Sequence, residues 1–293
     1  MSATRRLFCF GLGYTALALA RELVPEGWEI AGTAREEESL ACLAEGGIAG
    51  LVFNRERPLA EPSATLRGTT HVLISIPPDA AGDPVLDTHG DDIGAAAKSL
   101  EWLGYLSTTG VYGDRGGGWV DESSNLAPTG ERGRRRVKAE AGWLELGRAH
   151  GLPVHVFRLA GIYGPGRSAL DAVRGGRARR IVKPGQVFSR IHVADIVRVL
   201  RASMARPDPG AVYNVCDDAP APPEDVTVFA CELLGREPPP AIPFEGAEPP
   251  EMARSFYADN KRVRNDRIKR ELGVRLQYPD YKTGLRALLA GGD

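Results

Sequence analysis

One pattern limits the fold of this chain more than any other: short apolar runs alternate with segments of helical periodicity through its first half. Residues 7–10, 28–33, 51–53, 71–76, 103–108 and 154–159 read as strands. Residues 14–24, 36–44, 93–103 and 131–150 carry apolar side chains at helical spacing. Strands that are apolar on both faces, with helices between them, build a parallel sheet covered on both sides. The expected class is therefore α/β, with helices on each face of one sheet.

Beyond residue 166 the alternation loosens. Residues 191–204 read as a helix after a short strand, 212–215 as a strand, 227–234 as a helix and 259–272 as a charged helix. Residues 238–250 are Pro-rich and read as irregular. The expected division is a main domain over 1–165, to which 191–215 return, and a smaller C-terminal lobe, mainly 166–293, that holds substrate.

Composition narrows the classes of function. Lys and Arg total 37 against 38 Asp and Glu, a net charge of −1. No basic excess points to nucleic acid or to an anionic membrane. The cysteines Cys9, Cys42, Cys216 and Cys231 are scattered, with no zinc-like spacing, so no metal is expected and the thiols read as reduced. No apolar run approaches the roughly 18 residues of a membrane span. Two arginines precede the first apolar run, but Gly11, Gly13 and Tyr14 interrupt it and no small-residue cleavage site comes before Arg21 and Glu22. A cytoplasmic protein is expected. Gly is over-used, at 35 residues of 293, which means either loops or backbone that a ligand approaches closely.

The segment from Gly11 to Ala16 reads G-x-G-x-x-A between a strand and a helix. Gly11 permits the tight turn, Gly13 lets a pyrophosphate approach the backbone, and Ala16 lets helix and strand pack closely. With Tyr14 and Thr15 they open a helix whose N–H groups and dipole favour phosphate. A dinucleotide site follows, on a Rossmann-type doubly wound sheet. An NAD site places an acid about 20 residues on, at the tip of the second strand. Here that tip ends in Arg35, which suits a 2′-phosphate. NADP is the expected cofactor and NAD the alternative.

The chain resembles the extended short-chain dehydrogenase/reductases, the NAD-dependent epimerase/dehydratase group. The resemblance rests on the glycine turn, on Leu106-Ser107-Thr108-Thr109-Gly110-Val111-Tyr112-Gly113, on Arg158-Leu159-Ala160-Gly161-Ile162-Tyr163-Gly164-Pro165-Gly166, on Ile191-His192-Val193-Ala194-Asp195 and on Val212-Tyr213-Asn214-Val215. It implies a nicotinamide cofactor and a small polar, sugar-like substrate, and it admits a homodimer. It places Ala160, Gly161 and Ile162 beside the nicotinamide, and Ile76 and Pro77 beside the adenine ribose and pyrophosphate. It assigns Thr108, with Ser107 adjacent, to the substrate oxygen.

The family's Tyr-x-x-x-Lys pair maps onto Arg134 and Lys138. Lys138 fits the position that holds the nicotinamide ribose. Arg134 occupies the tyrosine position, and a guanidinium stays charged at any relevant pH, so it cannot exchange a proton as a phenol does. The chain therefore resembles the atypical branch of the superfamily. Three readings follow: another acid/base among Thr108, Lys138, Tyr112 and Tyr163; an electrostatic role for Arg134; or a non-catalytic protein that binds NADP(H). The arginine that nucleotide-sugar enzymes place four residues before the histidine is Phe188 here, with Arg190 nearby.

Overall fold

The computed structural model describes residues 5–247, 254 and 256–291. Strands β1 (Arg6–Phe10), β2 (Glu29–Ala34), β3 (Ala49–Val52), β4 (His71–Ile74) and β5 (Trp102–Thr108) are interleaved with helices α1 (Tyr14–Leu23), α2 (Glu38–Glu45), α3 (Pro62–Thr65) and α4 (Pro84–Ala95). Then come β6 (Trp119–Val120), α5 (Glu131–His150), β7 (Val154–Leu159), β8 (Gly161–Tyr163), α6 (Ala169–Arg174), β9 (Arg180–Val182) and β10 (Arg190–His192). The chain continues through α7 (Val193–Ala205), β11 (Val212–Val215), α8 (Pro223–Leu233), β12 (Ala241–Pro243) and β13 (Arg262–Val263) to the helices Asp266–Leu272 and Tyr281–Ala290.

Seven strands form one parallel sheet in the order β11-β7-β5-β4-β1-β2-β3. Winding reverses between β1 and β4, which pair directly, Phe10 opposite Ile74. The crevice at the carboxyl ends of these two strands is where doubly wound sheets take ligands. The inner strands are buried and largely apolar because both faces are covered: Phe8, Phe10, Val72, Ile74, Leu103, Tyr105 and Val156 are wholly buried in one core cluster.

The chain divides into two compact units. The first comprises Met1–Thr108, Arg134–Arg158 and Val199–Tyr213. The second comprises Thr109–Gly133, Leu159–Arg198 and Asn214–Asp293. A separate core fills the second, built from Tyr163, Leu170, Val226, Tyr281 and Leu285 among others.

Two helices differ from the sequence expectation. The helix expected at 93–103 is α4, Pro84–Ala95. Its start is fixed by Asp83, whose carboxylate accepts from the N–H groups of Val85 and Leu86, with Pro84 at the first helical position. The helix expected at 259–272 begins only at Asp266. Arg262 and Val263 leave the helical path to pair with Trp119 and Val120. Within the Pro-rich stretch, β12 pairs with β9, and residues 248–250 lie outside the described residues.

Candidate functional site

The glycine turn sits at the mouth of the crevice. The Gly11 N–H donates to Thr33 Oγ1 at 2.9 Å and the Leu12 N–H to the Thr33 carbonyl at 2.7 Å, tying the turn to the end of β2. The Ser75 hydroxyl donates to the Gly11 carbonyl, tying it to the end of β4. Gly11 has φ +90°, and a Cβ there would lie 2.7 Å from Ile76 Cγ1. Gly13 differs: it caps α1, and a Cβ there would meet nothing within 4 Å. Ala16 is wholly buried and Thr15 nearly so, which seats α1 on the sheet. Gly13 thus exposes backbone to open space at a helix N-terminus, the arrangement that accepts phosphate. These residues fit a dinucleotide pyrophosphate.

Arg35 follows β2, is exposed, and among the described residues pairs with no carboxylate. The neighbouring Glu37 is paired with Arg57 at 2.7 Å. A cation is therefore left facing solvent just beyond the end of β2. Ile76 is half-buried beside Gly11, and Pro77 is exposed next to it.

Thr108 ends β5, half-buried. Register carries Phe10 to Ile74 and Ile74 to Tyr105, so β5 lies two strands from β1, about 10 Å across the sheet. Ser107 points the other way along the alternating strand and is buried. Its hydroxyl donates to Glu140 Oε1 at 2.5 Å. Glu140 is also held by Arg158, through Nη2 at 2.8 Å and Nε at 3.2 Å. Ser107, Glu140 and Arg158 form a buried network behind the strand.

Helix α5 sorts its cations by face. Arg136 reaches inward, donating to the Leu106 carbonyl and to Tyr105 Oη at 3.2 Å. Arg136 and Glu140 stand one turn apart on the inner side. Arg134 and Lys138 stand one turn apart on the other side, and both are exposed. Lys138 forms no ion pair among the described residues.

In the second unit Ala160 is buried, its N–H donating to the Val215 carbonyl at 3.0 Å. Gly161 is exposed and Ile162 half-buried, both paired with β10. The two tyrosines considered as substitute acid/base groups are committed to structure. Tyr112 is wholly buried and its hydroxyl donates to Asn214 Oδ1 at 2.7 Å. Tyr163 is buried, and burial pushes its phenol well above the usual range. Its hydroxyl abuts the backbone of Gly284, where a Cβ would lie 2.1 Å away.

Asp195 also serves the fold: it accepts from the N–H groups of Gln277 and Tyr278, at 2.7 and 2.9 Å, while His192 Nδ1 accepts the Ala194 N–H at 3.2 Å. At the position where nucleotide-sugar enzymes carry arginine, the Phe188 ring packs edge-on against Tyr257, with centroids 5.3 Å apart. Sequence reasoning did not single out Thr33 or Ser75 as anchors of the turn, or Glu140 as a buried acid. Thr33 was legible as a hydroxyl at the tip of the strand beside the turn. Nothing in the pattern of a charged helix marked Glu140 as inward-facing.

Among the described residues no helix is long and apolar enough to cross a membrane. Among them, too, no group of three or more His, Cys, Asp or Glu is placed to hold a metal ion.

No family model matches the chain. It is 27% identical to Protein YeeZ of Escherichia coli (strain K12), over 94% of this chain and 97% of that protein. Among solved structures it resembles NAD-bound dTDP-glucose 4,6-dehydratase from Bacillus anthracis str. Ames, with a TM-score of 0.77 and 18% identity over 98% of this chain and 96% of that one. At that identity the likeness establishes the Rossmann-type fold. A functionally unknown conserved protein from Silicibacter pomeroyi DSS is far nearer: 56% identity, a TM-score of 0.90, and coverage of 99% of this chain and 100% of that one. The chain belongs to the same family as that Silicibacter pomeroyi protein.

Proposed function

We propose that the protein binds a nicotinamide dinucleotide, NADP(H) in preference to NAD(H), in an oxidoreductase- or epimerase-like role on a small polar, sugar-like substrate. The observation that carries this reading is the open Gly13 backbone at the N-terminus of α1, beside the β1/β4 switch point. The solved dehydratase of the same fold holds NAD, and a UDP-glucuronic acid 4-epimerase from Bacillus cereus was solved with UDP-glucuronic acid and NAD. Both support a nicotinamide cofactor. The preference for NADP rests on Arg35, a fork-shaped cation without a counter-ion among the described residues.

A bound nicotinamide would supply hydride chemistry. This chain's residues would do the rest. Gly11, Gly13, Tyr14, Thr15 and Ala16 would seat the pyrophosphate, with Ile76 and Pro77 flanking it. Ala160, Gly161 and Ile162 would line the nicotinamide side. Lys138 would hold the ribose. The Thr108 hydroxyl would donate to a carbonyl or alkoxide oxygen of the substrate. Arg134 would stabilise negative charge on the substrate without moving a proton. Ser107, bound to Glu140, supports the strand that carries Thr108. Phe188 speaks against a nucleotide-diphosphate substrate, because that position offers a ring instead of a cation.

A second reading is favoured by a specific observation. Arg134 replaces the phenol, and the hydroxyls of Tyr112 and Tyr163 are committed elsewhere. The protein would then hold NADP(H) as a structural or sensing ligand. The Arg134→Tyr variant separates the readings. If the native site is silent, NADPH oxidation with small aldoses and ketoses arises in the variant alone. If the native site is catalytic, the wild type turns over and the variant alters its pH profile.

A further inference from the structure

The second unit contains a cavity of about 410 Å³ between α6, α8, β10 and the helix Tyr281–Ala290. Its walls combine Val226 and Leu285 with the ring of Tyr281, and three arginines, Arg167, Arg177 and Arg190, line it. Among the described residues, Asp171 is the one carboxylate in the lining. That group is occupied, because Asp171 Oδ2 accepts from the Ser168 N–H at 2.7 Å and the Ser168 hydroxyl at 2.6 Å, closing the capping box of α6. The cationic charge of the cavity therefore exceeds its anionic charge.

Arg190 makes the imbalance acute. Its Nη1 donates to the carbonyls of Phe188 and Ala221, at 2.9 and 3.0 Å, both uncharged. Among the described residues no carboxylate lies within ion-pair distance of Arg190 or Arg177. Burial disfavours the Arg190 charge. The acid that acts on it most strongly, Asp217, is itself buried, and desolvation pushes its pKa up to about 8. Among the described residues, Oδ2 of that carboxyl finds no hydrogen-bond partner. The half-buried Arg190 guanidinium thus has no carboxylate within ion-pair distance among the described residues, and a partly desolvated charge is costly unless an anion pairs with it.

We propose that this cavity is a binding site for a small organic oxyanion, a carboxylate or phosphate head on an apolar body. The head pairs with Arg190 and Arg177, and the body rests on Val226, Leu285 and the Tyr281 ring. Arginine forks match either head, and the volume falls in the range of small-molecule sites. The inference stands on the second unit alone and does not depend on the dinucleotide reading.

The test is a thermal-shift titration of the full chain with benzoate, phenyl phosphate and the uncharged benzyl alcohol. At least one anion is expected to raise Tm saturably while benzyl alcohol does not, and the tighter of the two anions identifies the head. Arg177→Gln is expected to weaken that binding at least fivefold, and Arg190→Gln to weaken it more. Arg177 is exposed, so its variant decides the matter if Arg190→Gln does not fold. Equal shifts with benzyl alcohol, no saturable shift, or unchanged affinity in Arg177→Gln would overturn the proposal.

Discussion

The Ser107 hydroxyl and the Glu140 carboxylate meet at 2.5 Å inside the first unit, so a β5 residue adjacent to Thr108 is bound to the helix that carries Lys138. Arg158 completes the pairing from β7. Removing one partner of a buried ion pair strands the other charge and costs about 3–5 kcal/mol, whereas replacing the whole pair with apolar groups is often close to neutral. Glu140→Ala is therefore expected to lower unfolding free energy by about 3–5 kcal/mol in urea, and Glu140→Leu with Arg158→Met to recover most of the loss. A loss below about 1 kcal/mol in the single variant would contradict the network.

The two glycines of the turn should separate stability from binding. Gly11→Ala forces a side chain into left-handed backbone and against Ile76, so stability should fall by about 1–3 kcal/mol. Gly13→Ala meets no atom and lacks positive φ, so its stability cost should stay within about 1 kcal/mol, the size of a cap change. Its methyl occupies the space where a pyrophosphate would approach, so NADPH affinity should fall at least tenfold. Calorimetric titration and urea melts on both variants check the pair. Unchanged affinity in Gly13→Ala would remove the turn from the cofactor site.

The backbone of the candidate site was legible in the sequence, because its path is fixed by local rules. A strand that stops at G-x-G-x-x-A and continues as a helix allows few backbone paths, and β1 and α1 follow the expected one. Helix α5 spans Glu131–His150 as read. Where tertiary pairing decides, the pattern misled. Residues before Asp266 look helical, yet β13 pairs with β6 across a long stretch of chain. The helix at Pro84 was hidden because Gly90 and Gly94 dilute its apolar face, while its start signal, Asp83-Pro84, was present and went unused. The cavity arginines were invisible for another reason. Arg167, Arg177 and Arg190 are spread along a chain rich in Arg, and only the folding of β10 beside α6 gathers them.

Buried histidine gives a pH dependence with a defined sign. Burial lowers the pKa of His155 from 6.5 to about 4, and its Nε2 accepts the Asp208 N–H at 2.8 Å, so the fold holds the neutral ring. The unfolded chain binds the proton first. The His155 contribution is therefore full above pH 6.5 and is lost progressively as pH falls from 6.5 toward 4. His155→Gln keeps an acceptor without a titration in this range. The stability gap between wild type and His155→Gln should shrink between pH 7 and pH 5. A gap independent of pH would mean that the folded ring titrates normally.

The central claim is a dinucleotide site at Gly11–Ala16 that is read by Arg35. A thermal-shift comparison of NADPH, NADP, NADH and NAD tests it most directly, with the Arg35→Ala variant beside the wild type. Binding at a hundredfold excess over Kd stabilises a fold by about 2.7 kcal/mol, a shift of several degrees in a chain of this size. The expected result is a saturable rise in Tm with NADPH or NADP, a smaller one with NADH or NAD, and loss of that difference in Arg35→Ala. No shift with any of the four nucleotides would contradict the account.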